Sequence, residues 1–260
     1  VLKTMRNCKI VFHLAALVGI PYSYTSPLAY IKTNIEGTYN ILEASKNLDI
    51  EQIVITSTSE TYGSAKYVPI DERHPLSAQS PYSASKISAD QLALSYWKSF
   101  KLPIKIIRPF NIYGPRQSGR AIIPSIIIQA LSSKKEIKLG NIKPSRDFTY
   151  ITDTCNAFLE ILKIKKLFGD TVNVGSNNEY TINDIAKKIL LKLNSKANIK
   201  KEEGRVRTAQ SEVFRLVCDN TKILKYTNWK PRIKIEKGLD KTIRWFKDYK
   251  NFFKHDIYHI

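Results

Sequence analysis

Four short runs of apolar, mostly β-branched residues punctuate the chain: KIVFHL at 9–14, QIVIT at 52–56, IKIIR at 104–108 and TVNVG at 171–175. Hydrophobicity that is continuous rather than alternating over so short a run marks a strand covered on both faces, as in a parallel sheet. Between these runs the spacing turns helical. Leu28, Ile31, Ile35, Tyr39 and Leu42 fall on one stripe of a helix expected over 27–47, and that stripe is its expected packing face. Pro81 opens a second helix at a position where its missing N–H costs nothing; Ile87, Leu92, Leu94, Tyr96 and Trp97 give it apolar surface, and it stops before Pro103. Strands alternating with helices predict an α/β fold with a doubly wound parallel sheet. Beyond Arg116 the pattern is mixed. A helix over 121–131, a short strand EIKLG, the stretch SRDFTYITD, a helix over 182–193, a polar linker SKANIKKEEGR and an amphipathic helix over 236–249 follow. The change predicts a smaller α/β unit made of 116–147 and 177–260, with 1–115 and 148–176 forming the larger, Rossmann-like one.

Composition permits such a core: 43% of the 260 residues are apolar and 10% aromatic. The formal charge, 42 − 23 = +19, by itself suggests a polyanionic partner. The lysines are spread along the chain, however. The doublets Lys134-Lys135, Lys165-Lys166, Lys187-Lys188 and Lys200-Lys201 lie at polar edges of periodic segments, which is the pattern of a solvated surface rather than a nucleic-acid footprint. Cys8, Cys155 and Cys218 are far apart and lack ligand or CxxC spacing, so neither a disulfide framework nor a zinc site is expected, and a reducing cytoplasm is the expected location. His255 and His259 are four apart but have no third ligand in view, so no metal is expected. The opening KTMRNCKIVFHLAALVGI has the outline of a signal peptide, yet His13 interrupts it and it ends in Pro21 and Tyr22; no run reaches the ~18 apolar residues of a membrane span.

Candidate chemistry gathers between Ser57 and Lys86. QIVIT runs straight into Ser57, Thr58, Ser59 and Glu60, which places small hydroxyls and a carboxylate at a strand's carboxyl end, the edge where doubly wound sheets bind ligands. Tyr82 and Lys86, four apart on a helix, project from one face. A free phenol, with a pKa of about 10, is a poor base at neutral pH; an ammonium nearby favours the phenolate, so Tyr82 is expected to titrate closer to neutrality.

The QIVIT strand, the STSE turn and the PYSASK helix together resemble the extended short-chain dehydrogenase/reductase family of nucleotide-sugar epimerases and dehydratases. The resemblance continues in order through HLAA (13–16), Thr33-Asn34, RPFNIYGPRQ (108–117), SRDFTYITD (145–153), NVGS (173–176) and NWKP with EKGL (228–239). It implies NAD as cofactor, with Ala15, Ala16, Asn34, Thr56, Tyr82, Lys86 and Pro109 beside it, and a nucleotide-sugar substrate met by Asn111, Arg116, Arg146 and Arg215. Arg146 is the first choice for the diphosphate, because a guanidinium fork matches phosphate oxygens. The resemblance also implies that Asn34 ties its helix to the cofactor-side loops, that Trp229 and Pro231 are structural, and that the two helices of 27–47 and 81–102 form a homodimer interface. One departure stands out. The family's glycine-rich phosphate cradle is absent; the chain has 10 glycines, none before Gly19. The sequence is therefore expected to begin roughly two βαβ steps into the fold, each of ~30 residues, and to bind little or no NAD by itself.

Glu60 narrows the reaction. As the resemblance implies, Thr58 holds the sugar's 4-hydroxyl while Tyr82 deprotonates it. The C5 proton of the resulting 4-keto sugar becomes acidic, and a carboxylate can remove it. Simple 4-epimerases of the family carry small residues at this position, so the pattern looks more like a 4,6-dehydratase. Some dehydratases place Asp where Ser59 stands; with Ser59 there, one carboxylate serves both steps. The wording GIPYSYTSP, STSETYG and RPFNIYGPRQSGRAIIP resembles dehydratases acting on UDP- or GDP-linked N-acetylglucosamine. UDP-glucuronate decarboxylases and 4-epimerases are the alternatives within the family, and a basic nucleic-acid-binding relative is the alternative outside enzymes.

Overall fold

The computed structural model describes residues 1–132, 135–205 and 209–253; Lys134, His255 and His259 lie outside them. In chain order, α1 (Leu2–Met5) leads to β1 (Ile10–His13), then α2 (Ile20–Thr25), α3 (Pro27–Tyr30), a π-helical turn (Ile31–Glu36) and α4 (Gly37–Lys46). β2 (Gln52–Thr56), α5 (Pro81–Phe100), β3 (Ile104–Pro109) and β4 (Asn111–Tyr113) follow, then α6 (Ile122–Leu131), β5 (Glu136–Leu139), β6 (Ser145–Tyr150) and α7 (Ile151–Leu162). The chain continues through β7 (Asp170–Val174), β8 (Glu179–Thr181), α8 (Ile182–Lys192), β9 (Asn198–Lys201), β10 (Arg215–Leu216), α9 (Thr221–Tyr226) and α10 (Ile235–Asp248).

The four apolar runs pair in parallel in the order β1-β2-β3-β7. Successive side chains of a strand point to opposite faces; β2, β3 and β7 are covered on both, whereas β1 leaves Ile10 and Phe12 40% and 37% exposed. Ile53, Ile55, Ile104 and Ile106 pack with Leu42 and Ala93 on one side. Val54, Ile107, Val172 and Val174 pack with Ala157, Ile161 and Trp229 on the other. The sheet is so thoroughly covered that Lys105, inside β3, is fully buried; its ammonium donates to Gln52 Oε1 at 2.8 Å and to the carbonyls of Ile161 and Leu162 at 3.0 and 2.8 Å.

A second sheet, β10-β6-β4 with β8 antiparallel to β6, and a two-stranded β5-β9 ribbon share one core with α6, α8 and α10. Gly238 explains how α10 comes so close. A Cβ there would stand 1.9 Å from the Tyr113 hydroxyl, so only glycine lets the helix lie on that ring.

Two expectations fail for identifiable reasons. On the helix over 27–47, Leu28, Ile31 and Tyr39 are 60%, 50% and 46% exposed, whereas Tyr30, Asn34, Thr38 and Leu42 form the buried face. The π-helical turn adds a residue to the helical repeat and slips the face; Asn34 and Thr38 go inward because each finds hydrogen-bond partners there. The supposed linker contains β9, which pairs in parallel with β5. Its outward positions are lysines, one of which meets Glu136 across the ribbon through Lys200 at 3.2 Å, and its single apolar residue, Ile199, is too little for periodicity to register.

Candidate active site

A cleft of about 780 Å3 opens where the carboxyl ends of β2 and β3 face the second sheet and the β5 end of the ribbon. The turn after β2 is rigidly mounted. Thr58, in extended conformation, caps the short helical turn Ser59–Tyr62, and its hydroxyl accepts from the Glu60 N–H at 3.3 Å. Ser57 Oγ donates to Asp90 Oδ2 at 2.7 Å at one end of the turn, and Tyr62 donates to Asn173 Oδ1 at 2.7 Å at the other. Opposite, α5 starts with a reciprocal Ser80–Ser83 capping box and Pro81 in its first turn, which fixes the next residue, Tyr82. Thr58, Ser59, Glu60 and Tyr82 all line the cleft, with the Thr58 hydroxyl placed to favour the ionised form of the Tyr82 phenol. Lys86 lies beneath, 4% exposed, donating to the Thr56 carbonyl at 2.7 Å.

The electrostatics correct one expectation. Burial pushes the Tyr82 phenol above the ordinary phenol range; the Thr58 hydrogen bond opposes this, and the charges of Glu60 and Asp90 add to it. Burial likewise pushes the Lys86 ammonium down, against the pull of Asp90. Desolvation dominates at both groups, so Tyr82 is a neutral phenol in this state, and Thr58 is the contact that favours its ionised form. His13, at the end of β1, is held down to about 4 by burial and then by the Lys86 charge, and its Nε2 faces Thr38 Oγ1 at 3.1 Å.

The π-helical turn has a local use. It carries Asn34, whose side chain clamps Leu17 at both backbone groups, accepting from its N–H at 2.8 Å and donating to its carbonyl at 3.0 Å, and also donates to Ser85 Oγ at 2.9 Å. The loop after β1 is thereby tied to α5. Asn34→Ala leaves both Leu17 groups without their partner and is expected to lower stability by about 2 kcal/mol in a urea melt, the scale of buried groups left unpaired.

The remaining residues singled out from the sequence divide. Ala16, Thr56, Pro109, Asn111 and Arg146 line the cleft. Ala15, Arg116 and Arg215 are exposed and lie outside its wall; Arg215 instead forms a two-bond pair with Glu179, both contacts 2.8 Å. Arg146 is 6% exposed, donates to the Ser145 carbonyl at 2.9 Å and stands 3.9 Å from Glu212. Three buried wall atoms, Thr56 Oγ1, Asn111 Oδ1 and Gln117 Oε1, have no hydrogen-bond partner among the described residues. Buried polar atoms are rarely left so, and a cleft wall with three of them fits a polar ligand rather than an apolar one.

Comparison with known proteins places this geometry. The family model described as GDP-mannose 4,6 dehydratase matches residues 1–242. The chain belongs to that family. Among curated relatives of the GDP-mannose 4,6-dehydratase family, the dTDP-D-glucose 4,6-dehydratase of Homo sapiens is 30% identical over 242 residues, covering 92% of this chain and 69% of the relative. Among solved structures, the UDP-glucuronic acid 4-epimerase of Bacillus cereus, in complex with UDP-glucuronic acid and NAD, superposes with a TM-score of 0.89 at 28% identity, covering 95% of this chain and 78% of that one. TunA, an NAD-dependent NDP-hexosamine 5,6-dehydratase of tunicamycin biosynthesis, gives 0.88 at 26%, covering 98% and 81%.

Within this family member, sequence reasoning missed Glu212, Gln117, Arg120 and Tyr30 as cleft residues. Gln117 stands in the quoted RPFNIYGPRQ motif, which was the available signal. Tyr30 packs edge-on to Tyr82 with ring centroids 6.2 Å apart, and nothing in its local spacing distinguishes it from a core residue.

Proposed function

We propose that the protein is an NAD-dependent nucleotide-sugar 4,6-dehydratase acting on UDP- or GDP-linked N-acetylglucosamine. The observation that carries this reading is the convergence of Thr58, Glu60 and Tyr82 on one cleft. Ala15, Ala16, Asn34, Thr56, Pro109, Tyr82 and Lys86 would hold the cofactor side, and the unpaired Thr56 hydroxyl is a group that such a ligand could satisfy. NAD held there would supply the hydride acceptor for oxidation at C4 and the hydride donor for C6. Tyr82 takes the O4 proton while Thr58 fixes that hydroxyl. Glu60 removes the C5 proton and delivers it to the departing C6 hydroxyl, which leaves as water; once C6 has received the hydride, C5 takes a solvent proton through Glu60 and the O4 proton passes from Tyr82 to solvent, so the product is the substrate less one H2O. Ser59 supports the turn that holds both groups.

In this reading the segments 1–115 and 148–176 serve the cofactor, and 116–147 with 177–260 serve the sugar nucleotide. Asn111 meets the sugar and Arg146 pairs with the diphosphate, whereas Arg116 and Arg215, outside the cleft wall, are left out of this reading. Arg146→Lys keeps the charge but loses the planar fork, and is expected to raise KM for the sugar nucleotide about tenfold, or about 1.4 kcal/mol. Steady-state kinetics at fixed NAD checks this.

The exposed stripe Leu28, Ile31 and Tyr39 supports a homodimer through the helices over 27–47 and 81–100. Ile31→Asp is expected to convert a sedimenting dimer to monomer; a wild type that already sediments as monomer removes the interface.

A UDP-glucuronate enzyme is the second reading, favoured by Arg120, which lines the cleft and acts on the Tyr30 phenol, because a guanidinium suits a uronate carboxylate. Mass analysis of products decides. Loss of water from UDP- or GDP-N-acetylglucosamine supports dehydration, loss of carbon dioxide from UDP-glucuronate means decarboxylation, and conversion without mass change means epimerisation.

A further inference from the structure

Tyr82, Lys86 and Asp90 stand at successive i, i+4 positions of α5, 6%, 4% and 0% exposed, so one buried helix face carries all three. Asp90 loads its Oδ2 with three donors: Ser57 Oγ at 2.7 Å, Arg108 Nη2 at 2.9 Å and Arg108 Nε at 3.1 Å. Its Oδ1, equally buried, has no partner among the described residues. Arg108 in turn donates to the Tyr62 hydroxyl at 3.2 Å with its carbon 5.1 Å over that ring, and Tyr62 donates to Asn173. Asp90 therefore grips both ends of the turn bearing Thr58, Ser59 and Glu60, through Ser57 at its start and through Arg108 and Tyr62 at its finish. It does so from the helix face that presents Tyr82 and Lys86.

We propose that Asp90 is a positioning residue that locks the Thr58–Glu60 turn in register with the Tyr82–Lys86 face and supplies the buried negative charge one helical turn from Lys86. This rests on the reading that those residues carry the chemistry. The groups facing Lys86 are few. Its own helix supplies Tyr82 and Asp90, β1 supplies the neutral His13, β2 the Thr56 carbonyl, and β3 the Arg108 guanidinium, already bound to Asp90. Glu60, from the turn, acts on Tyr82. Asp90 is thus the one anion among these that acts on Lys86 directly, in a place where burial works against its charge. Burial pushes the Asp90 carboxyl up as well, and Arg108 and Ser57 pull it back toward the carboxylate.

The decisive measurement is independent of turnover. With lysine labelled at Nζ and the Lys86 signal assigned by its loss in Lys86→Met, the ammonium is titrated by NMR in wild type and Asp90→Asn. Asparagine keeps the shape and removes the charge. Proton affinity at Lys86 is expected to fall about tenfold, one pH unit, the low end of what a close opposite charge supplies; Asp90→Glu is expected to restore it. An unshifted titration overturns the proposal. In parallel, kcat in Asp90→Asn is expected to fall about tenfold with KM within twofold and the alkaline limb of its pH profile moved down; a uniform loss with fixed limbs also overturns it. Should Asp90→Asn not fold, Ser57→Ala tests the grip on the turn, with kcat expected to fall about fivefold at unchanged KM and wild-type kcat counting against it. Wild-type turnover in Tyr82→Phe would defeat the catalytic reading itself, whereas an unshifted Lys86 alone defeats only the role of Asp90.

Discussion

Tyr82→Phe is expected to lower turnover of the sugar nucleotide about 10³-fold, within the range set by losing a positioned general base, while the protein stays folded. The separation of the two effects follows from the surroundings of the ring. Tyr82 is buried against Ile20 and Tyr30, and its packing resides in carbons that phenylalanine keeps. The hydroxyl's contact is with Thr58, which remains able to accept from the Glu60 N–H after substitution. Loss of one such bond is worth about 1 kcal/mol in stability. Turnover measured by mass spectrometry with melting recorded on the same sample checks both halves. Loss of activity with a collapsed melting curve would point to packing, and retained turnover would remove Tyr82 from the chemistry. Because burial raises the phenol, a base here has to be generated within the loaded cleft, and Thr58→Ala, which deletes the contact favouring the ionised form, should lower kcat in the same direction by a smaller factor.

What the sequence disclosed and what it hid divide along physical lines. The central strands of the large sheet were legible because a strand covered on both faces is apolar at most positions, and in Gln52–Thr56 and Ile104–Pro109 the buried exceptions are Lys105, held by acceptors from α7 and β2 and by the Phe168 ring, and Arg108, held by Asp90. The Tyr82–Lys86 pair was legible because a four-residue step on a helix fixes a common face whatever the tertiary context. The inward face of the helix over 27–47 was not legible, because the π-helical turn at Ile31–Glu36 shifts the repeat and its inward residues, Asn34 and Thr38, are polar groups paid for by Leu17, Ser85 and His13. The protonation of Tyr82 was hidden for a related reason. Spacing places a lysine beside a phenol, but desolvation depends on everything else that closes around them. Glu212 came to the cleft beside Arg146 through the parallel pairing of β10 with β6, a contact between distant segments that no local pattern announces. That same pairing sets the following arginine, Arg215, against Glu179 on β8 and away from the cleft wall.

Glu60→Gln separates the two halves of the proposed reaction. Glutamine has the volume of glutamate and leaves the backbone bond from Glu60 N to Thr58 in place, so the turn is expected to hold its shape. What it removes is the capacity to accept a proton. Oxidation at C4, which falls to Tyr82 and Thr58, should continue and let a 4-keto sugar nucleotide with its C6 hydroxyl intact accumulate. Entry of solvent deuterium at C5 should fall about 10³-fold, the loss of a second positioned base, and dehydrated product should vanish with it. In D2O the wild type is expected to label C5 during turnover, and mass spectrometry of both species reads the result directly. The comparison also divides the candidate reactions by chemistry. A 4-epimerase never makes or breaks the C5–H bond, so its wild type would show no label for Glu60→Gln to abolish. A uronate decarboxylase would release carbon dioxide from the C6 carboxylate, and the position left at C5 would be filled by a solvent proton whether or not any C5–H had been removed first. Unchanged labelling in Glu60→Gln excludes Glu60 as the C5 base; labelling lost while the 4-keto species builds up is the pattern that only a 4,6-dehydratase with a carboxylate at this turn produces.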